Sequence, residues 1–85
     1  MARKGEAMSE LERLQGAVDG FASVMKLKLE QKLAENWHGW DDVRFLPALR
    51  QSLLLHAARV FGGEKSQCHD VANIAMMIFY LERKL

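Results

Sequence analysis

Asp70-Val71-Ala72-Asn73-Ile74-Ala75-Met76-Met77-Ile78-Phe79-Tyr80-Leu81 is the stretch whose reading decides the fold. It holds no glycine or proline, and its apolar residues recur at helical spacing. Val71, Ile74, Ile78, Leu81 and, further on, Leu85 mark one face, while Ala72, Ala75, Met76 and Phe79 mark an adjoining one. So broad an apolar surface predicts a central helix over about 65–84, covered by neighbours on most sides. Gln67, Asp70, Asn73 and Tyr80 are its polar exceptions and share roughly one stripe.

Upstream, Gly62 and Gly63 end a second helix, since glycine readily takes the left-handed conformation of a helix C-terminus. Pro47 fits the first turn of that helix, where its missing N–H leaves no bond unmade. Leu46, Leu49, Leu53, Ala57 and Val60 form its main stripe, and the run Leu53-Leu54-Leu55 predicts neighbours on two sides. Asn36–Asp42, with Gly39 inside and two tryptophans around it, is the break before it. A first helix is predicted over about 10–35. Ser9 and Glu12 have the spacing of a capping box, and Leu11, Leu14, Val18, Phe21, Met25, Leu29 and Leu33 recur in steps of three and four. Gly16 and Gly20, one turn apart, either weaken this helix or let another helix come close. Residues 1–8 read as a flexible tail ahead of one helical domain over 9–85.

The expectation is therefore an all-α, three-helix chain. A first helix of 26 residues would be ~39 Å long, against a radius of gyration near ~12 Å for a compact domain of this length. Two shorter helices cannot cover such a rod, which predicts a homo-oligomer, a dimer or a tetramer, that completes the bundle.

Eighty-five residues with 49% hydrophobic content suit one small globular domain. A net charge of +1 makes no electrostatic case for nucleic acid or membrane surfaces. Met1–Met8 is polar and lacks the apolar centre of a signal peptide. No apolar run approaches the ~20 residues of a membrane span. Cys68 is the only cysteine and suits a reducing compartment. A cytoplasmic protein is the expectation.

Two stretches resemble the MazG-like branch of all-α nucleotide pyrophosphohydrolases, including its short phage and mobile-element members. Lys32-Leu33-Ala34-Glu35-Asn36-Trp37-His38-Gly39-Trp40 is similar to the segment in which a helix ends in K-L-x-x-N before a His-Gly-Trp turn. Asp70-Val71-Ala72-Asn73-Ile74-Ala75-Met76-Met77-Ile78 is similar to the family's D-V-A-N-x-A-M-M-I helix. The likeness covers about residues 24–82. It implies an oligomeric helical bundle that holds magnesium on E-E-x-x-E and E-x-x-D motifs and hydrolyses a nucleoside triphosphate to monophosphate and pyrophosphate. It also implies nucleotide contacts at Asn36, His38, Trp40 and Asn73, and a metal ligand at Asp70.

The chain departs from that pattern at the chemistry. Gln51, Ser52 and Leu55 stand at the three glutamates of the second helix, and Gln67 stands at the first carboxylate of E-x-x-D. Val43–Gly63 contains no Asp or Glu, whereas it does contain Arg44, Arg50, Arg59 and His56. One carboxylate is a poor site for a hard divalent ion, so hydrolysis by the family's route is not expected. Magnesium would be the cofactor only if activity survives.

Each residue has a plainer reading. Asp70 either ligates a metal or stabilises the N-terminus of its helix through the dipole. Asn73 either touches a nucleotide or makes an interhelical hydrogen bond. Asn36, His38 and Trp40 either line a base pocket or cap a helix and pack aromatically. Arg50 and Arg59 either contact phosphate or belong to a solvated face. His56 is read as a core or interface histidine, and Cys68-His69 lacks the recurrent spacing of a zinc site.

Three functions follow. The first is a MazG-like nucleotide-binding or accessory protein without the metal centre. The second is an active hydrolase that recruits Glu30, Glu35, Asp41, Asp42 or Glu64. The third is a structural oligomer or protein-binding module.

Overall fold

The computed structural model describes residues 8–85 and is all-helical: α1 Glu10–Ala34, a 3-10 turn Val43–Phe45, α2 Leu46–Phe61 and α3 Cys68–Glu82. Residues 1–7 of the expected tail lie outside the described residues.

The caps fix most boundaries. At the start of α1 the Glu12 N–H donates to Ser9 Oγ at 3.0 Å and the Ser9 N–H donates to Glu12 Oε1 at 2.9 Å, the reciprocal pair of a capping box. Pro47 lies in the first turn of α2. That helix closes with Gly63 at φ 83°, the Gly63 N–H donating to the Val60 carbonyl and the Glu64 N–H to the Arg59 carbonyl. These two bonds form a Schellman motif. The start of α3 differs from its predicted place. Ser66 takes φ 71°, which turns the chain, and the helix begins at Cys68 rather than near 65. It ends at Glu82, so Leu85 falls beyond it and is exposed.

The core lies between α2 and α3. Leu46 and Leu49 meet Met77, Ile78 and Leu81, with Leu29, Trp40, Leu53, Ile74 and Met76 packed around them. Burial of each such side chain is worth about 1.5–3 kcal/mol. Both α1 and α2 pack chiefly on α3. Phe21 is level with the first turn of α3 and Leu29 with Met77, so α1 runs in the same sense as α3 and overhangs its N-terminus.

Two sequence expectations are corrected. Leu54 and Leu55 are both exposed, so α2 has a neighbour on one side only. α3 is central, yet its Cys68, Ala75 and Phe79 side is open. No residue of α1 is buried, and the radius of gyration is 16.2 Å with extents of 53 × 31 × 26 Å, against ~12 Å for a compact chain of this length. Gly16 and Gly20 have nothing within 4 Å of the place a Cβ would occupy, so none of the described helices closes on them. None of the described helices is long and apolar enough to cross a membrane.

Candidate functional site

Two adjoining clefts share Trp37, Leu49 and Ser52 in their walls. The first is made by the turn after α1. There the Asn36 N–H donates to the Leu33 carbonyl and the Trp37 N–H to the Lys32 carbonyl, both at 3.0 Å, with Asn36 at φ 65°. Asparagine tolerates this left-handed position better than most residues. Asn36 is thus the cap residue of α1, and its work is done by the backbone. Gly39 follows at φ 87°, and a Cβ on it would lie 3.4 Å from the Phe45 ring. The chain can therefore fold Trp37, His38, Trp40 and Phe45 around a cleft of about 240 Å³. Trp40 is fixed from behind by Tyr80, with ring centroids 5.1 Å apart. Asp42 anchors the far end of the turn. It accepts from the Arg44 N–H at 2.9 Å and from Arg44 Nη2 at 2.6 Å. The Arg44 side-chain bonds, then its backbone bond, lower the Asp42 carboxyl from 3.8 to about 2 against the opposing effect of desolvation. The same pairing raises Arg44.

The second cleft, about 130 Å³, lies between the three helices. α1 supplies Leu29 and Lys32, α2 supplies Ser52 and His56, and α3 supplies Asp70 and Asn73. Lys32 Nζ also stands 5.8 Å from the Trp37 ring centroid, so one ammonium serves the wall between the clefts. Asp70 Oδ1 has Lys28 Nζ at 4.0 Å. Gln67 Nε2 donates to Glu64 Oε1 at 3.3 Å, which turns Gln67 Oε1 toward His56 Nδ1 at 2.8 Å. A neutral His56 then carries its proton on Nδ1 and leaves Nε2 as an acceptor. Asn73 is 5% exposed; its Nδ2 donates to the Met25 carbonyl at 3.2 Å, and its buried Oδ1 has no partner.

Of the residues singled out in the sequence, His38 and Trp40 meet in the aromatic cleft and Asp70 and Asn73 in the interhelical one. Asn36 lies outside both. Arg50 pairs with Glu82 at 3.1 Å, and Arg59 is exposed near the end of α2; both lie outside the two clefts. Gln51 and Leu55 face solvent, whereas Ser52 and His56, one turn apart, face the cleft. Sequence reasoning missed Lys28 and Lys32 as its cations and His56 as a lining residue. The signal was present, because Lys28 and Lys32 follow Met25 and Leu29 by three residues each and so flank the apolar stripe.

Magnesium prefers near-octahedral oxygen coordination. Asp70 is the cleft's one carboxylate and already faces Lys28, and its neighbours are an ammonium, an imidazole, a hydroxyl and an amide. This donor set does not fit the ion. Among the described residues no group of three or more His, Cys, Asp and Glu side chains is gathered as a metal cage. Glu64 is bonded to Gln67 and Asp42 to Arg44.

Compared with known proteins, the chain matches no family model, no curated protein and no solved structure.

Proposed function

We propose that this chain is a MazG-like helical protein of the cytoplasm that binds a nucleotide without a divalent metal, in an accessory or regulatory role, and works as a homo-oligomer. The observation that carries the reading is the pairing of an aromatic cleft with a polar one that holds Lys32 and the Asn73 amide, joined across Trp37. A base stacks on tryptophan faces at a gain of about 1–3 kcal/mol. Its phosphates then meet Lys32, with Ser52 as a hydroxyl donor. The orphaned Asn73 Oδ1 calls for a ligand N–H or O–H, because a buried acceptor without a partner costs about 1–3 kcal/mol. Lys32 here does the work of the ion: it offsets phosphate charge. No group is arranged to activate water through a metal, so binding without turnover is the expected chemistry.

Thermal unfolding of the full chain tests this with nucleoside mono-, di- and triphosphates, each with and without magnesium. A ligand at 100 times its dissociation constant adds about 2.7 kcal/mol and raises the midpoint by several degrees. The expected result is a shift that does not need magnesium and is lost in Lys32→Gln. A magnesium-dependent shift with release of pyrophosphate would establish the active hydrolase instead. No shift with any nucleotide would remove the nucleotide reading and leave a protein-binding or structural role.

A further inference from the structure

The overhang of α1 is an apolar ridge, and an apolar groove adjoins it at Phe21. The ridge carries Leu11, Leu14 and Val18, all more than half exposed, on the helical face that continues through Phe21 into the packed part of α1. The groove, about 300 Å³, is formed by Phe21, by Ala57 and Val60 of α2, and by Cys68, Val71 and Ala72 of α3. A monomer that leaves both open exposes one contiguous apolar surface, which marks an interaction site.

We infer that the occupant is a second copy of this chain, with the α1 overhang of each copy lying in the groove of the other. This rests on the oligomer reading above and specifies its interface. Three observations carry it. Ridge and groove are on one chain, so a two-fold axis satisfies both at once, which is the self-complementarity of an isologous dimer. Antiparallel pairing of the two α1 helices about Val18 brings Leu14 of one copy over Phe21 of the other and Leu11 level with Met25, so the stripe is filled along its length. The charges also match. The overhang bears Glu10, Glu12 and Asp19 against Arg13 alone, while the last turn of α2 and the α2–α3 turn, which bound the groove, carry Arg59 and Lys65 against Glu64. An acidic helix crosses a rim in which basic residues outnumber acidic ones. Unlike charges at a rim steer encounter and fix register.

The test uses two chains mixed. One carries Leu14→Cys with Cys68→Ser, and the other is unaltered, with Cys68 as its only thiol. A short bismaleimide should join position 14 of the first to Cys68 of the second, read by peptide mass. Sedimentation equilibrium of the unaltered chain should give a dimer. Val18→Glu should weaken that dimer at least about 30-fold, the loss typical of a central interface residue. Leu27→Glu, on the outer side of α1 and equally exposed, should leave it intact. A dimer that lacks the cross-link and tolerates Val18→Glu overturns this interface while sparing the oligomer reading. A monomer at all concentrations overturns both, and a monomer that binds phospholipid vesicles through α1 would make the ridge a membrane-surface helix.

Discussion

Asn73 carries two obligations on one side chain. Its Nδ2 holds the Met25 carbonyl, and its Oδ1 is buried without a donor in a cleft wall. Replacing a half-satisfied buried amide by an apolar group takes a donor from the Met25 carbonyl but also removes the desolvated Oδ1, and the two effects oppose each other. Asn73→Leu should therefore move the midpoint of the free protein by no more than about 1 kcal/mol, a few degrees at this size, while removing the nucleotide-induced shift. A large loss of stability would assign Asn73 to the fold alone. Asp42 gives a second prediction at this scale. Its folded value, about 2, lies below the ordinary 3.8, so its bonds to Arg44 stabilise the turn fully above that ordinary value. The contribution shrinks as pH falls and is gone below about 2. The midpoint difference between the protein and Asp42→Asn should be present near pH ~6 and vanish on acidification toward pH ~2. A difference that persists at low pH would mean that shape, and not charge, holds the Asp42–Arg44 contact.

At the scale of the helices, ends with a side-chain or glycine signature were legible in the sequence, and ends without one were not. Ser9 with Glu12 marks the start of α1, and Gly62-Gly63 marks the end of α2, because those residues supply the bonds that orphan N–H and C=O groups need. The start of α3 carries no such mark. Ser66 reaches a positive φ that serine rarely adopts, and Gln67 makes no side-chain cap, so sequence alone places the boundary about three residues early. The candidate site was legible in half. His38, Trp40, Asp70 and Asn73, singled out by the sequence, line the clefts, but Ser52 and His56 needed the rotation of α2 about its own axis, which only its packing on α3 decides. The α1 cap yields a prediction of its own. Ser9→Ala removes one half of the box and costs about 1 kcal/mol of helix stability. Because the first two turns of α1 are exposed along their whole length, the loss should appear in the free monomer as fraying: less helical ellipticity, with the unfolding midpoint of the α2–α3 core unchanged. An equal fall in both signals would show that the overhang and core unfold as one unit.

For the whole molecule, the open apolar surface sets the thermodynamics. The core is five buried side chains shared by α2 and α3, and α1 adds none. A domain this small is marginal by its own burial. The cost of ordering residues 10–20, about 1–2 kcal/mol each for the backbone alone, has no intrachain packing to offset it. A second copy supplies that packing, so folding of the α1 overhang and association become one process. Stability then depends on concentration by mass action. A hundredfold rise in chain concentration favours the dimer by about 2.7 kcal/mol. With an unfolding entropy near ~2.1 cal/mol/K per residue over two chains, the midpoint should climb by several degrees, and helical ellipticity should climb with it. Val18→Glu should flatten this dependence, leaving a midpoint that concentration does not move and an ellipticity lower by about the overhang. Ellipticity that stays high at every dilution would mean that α1 is stable as a lone helix, and its exposed ridge would then have no part in folding.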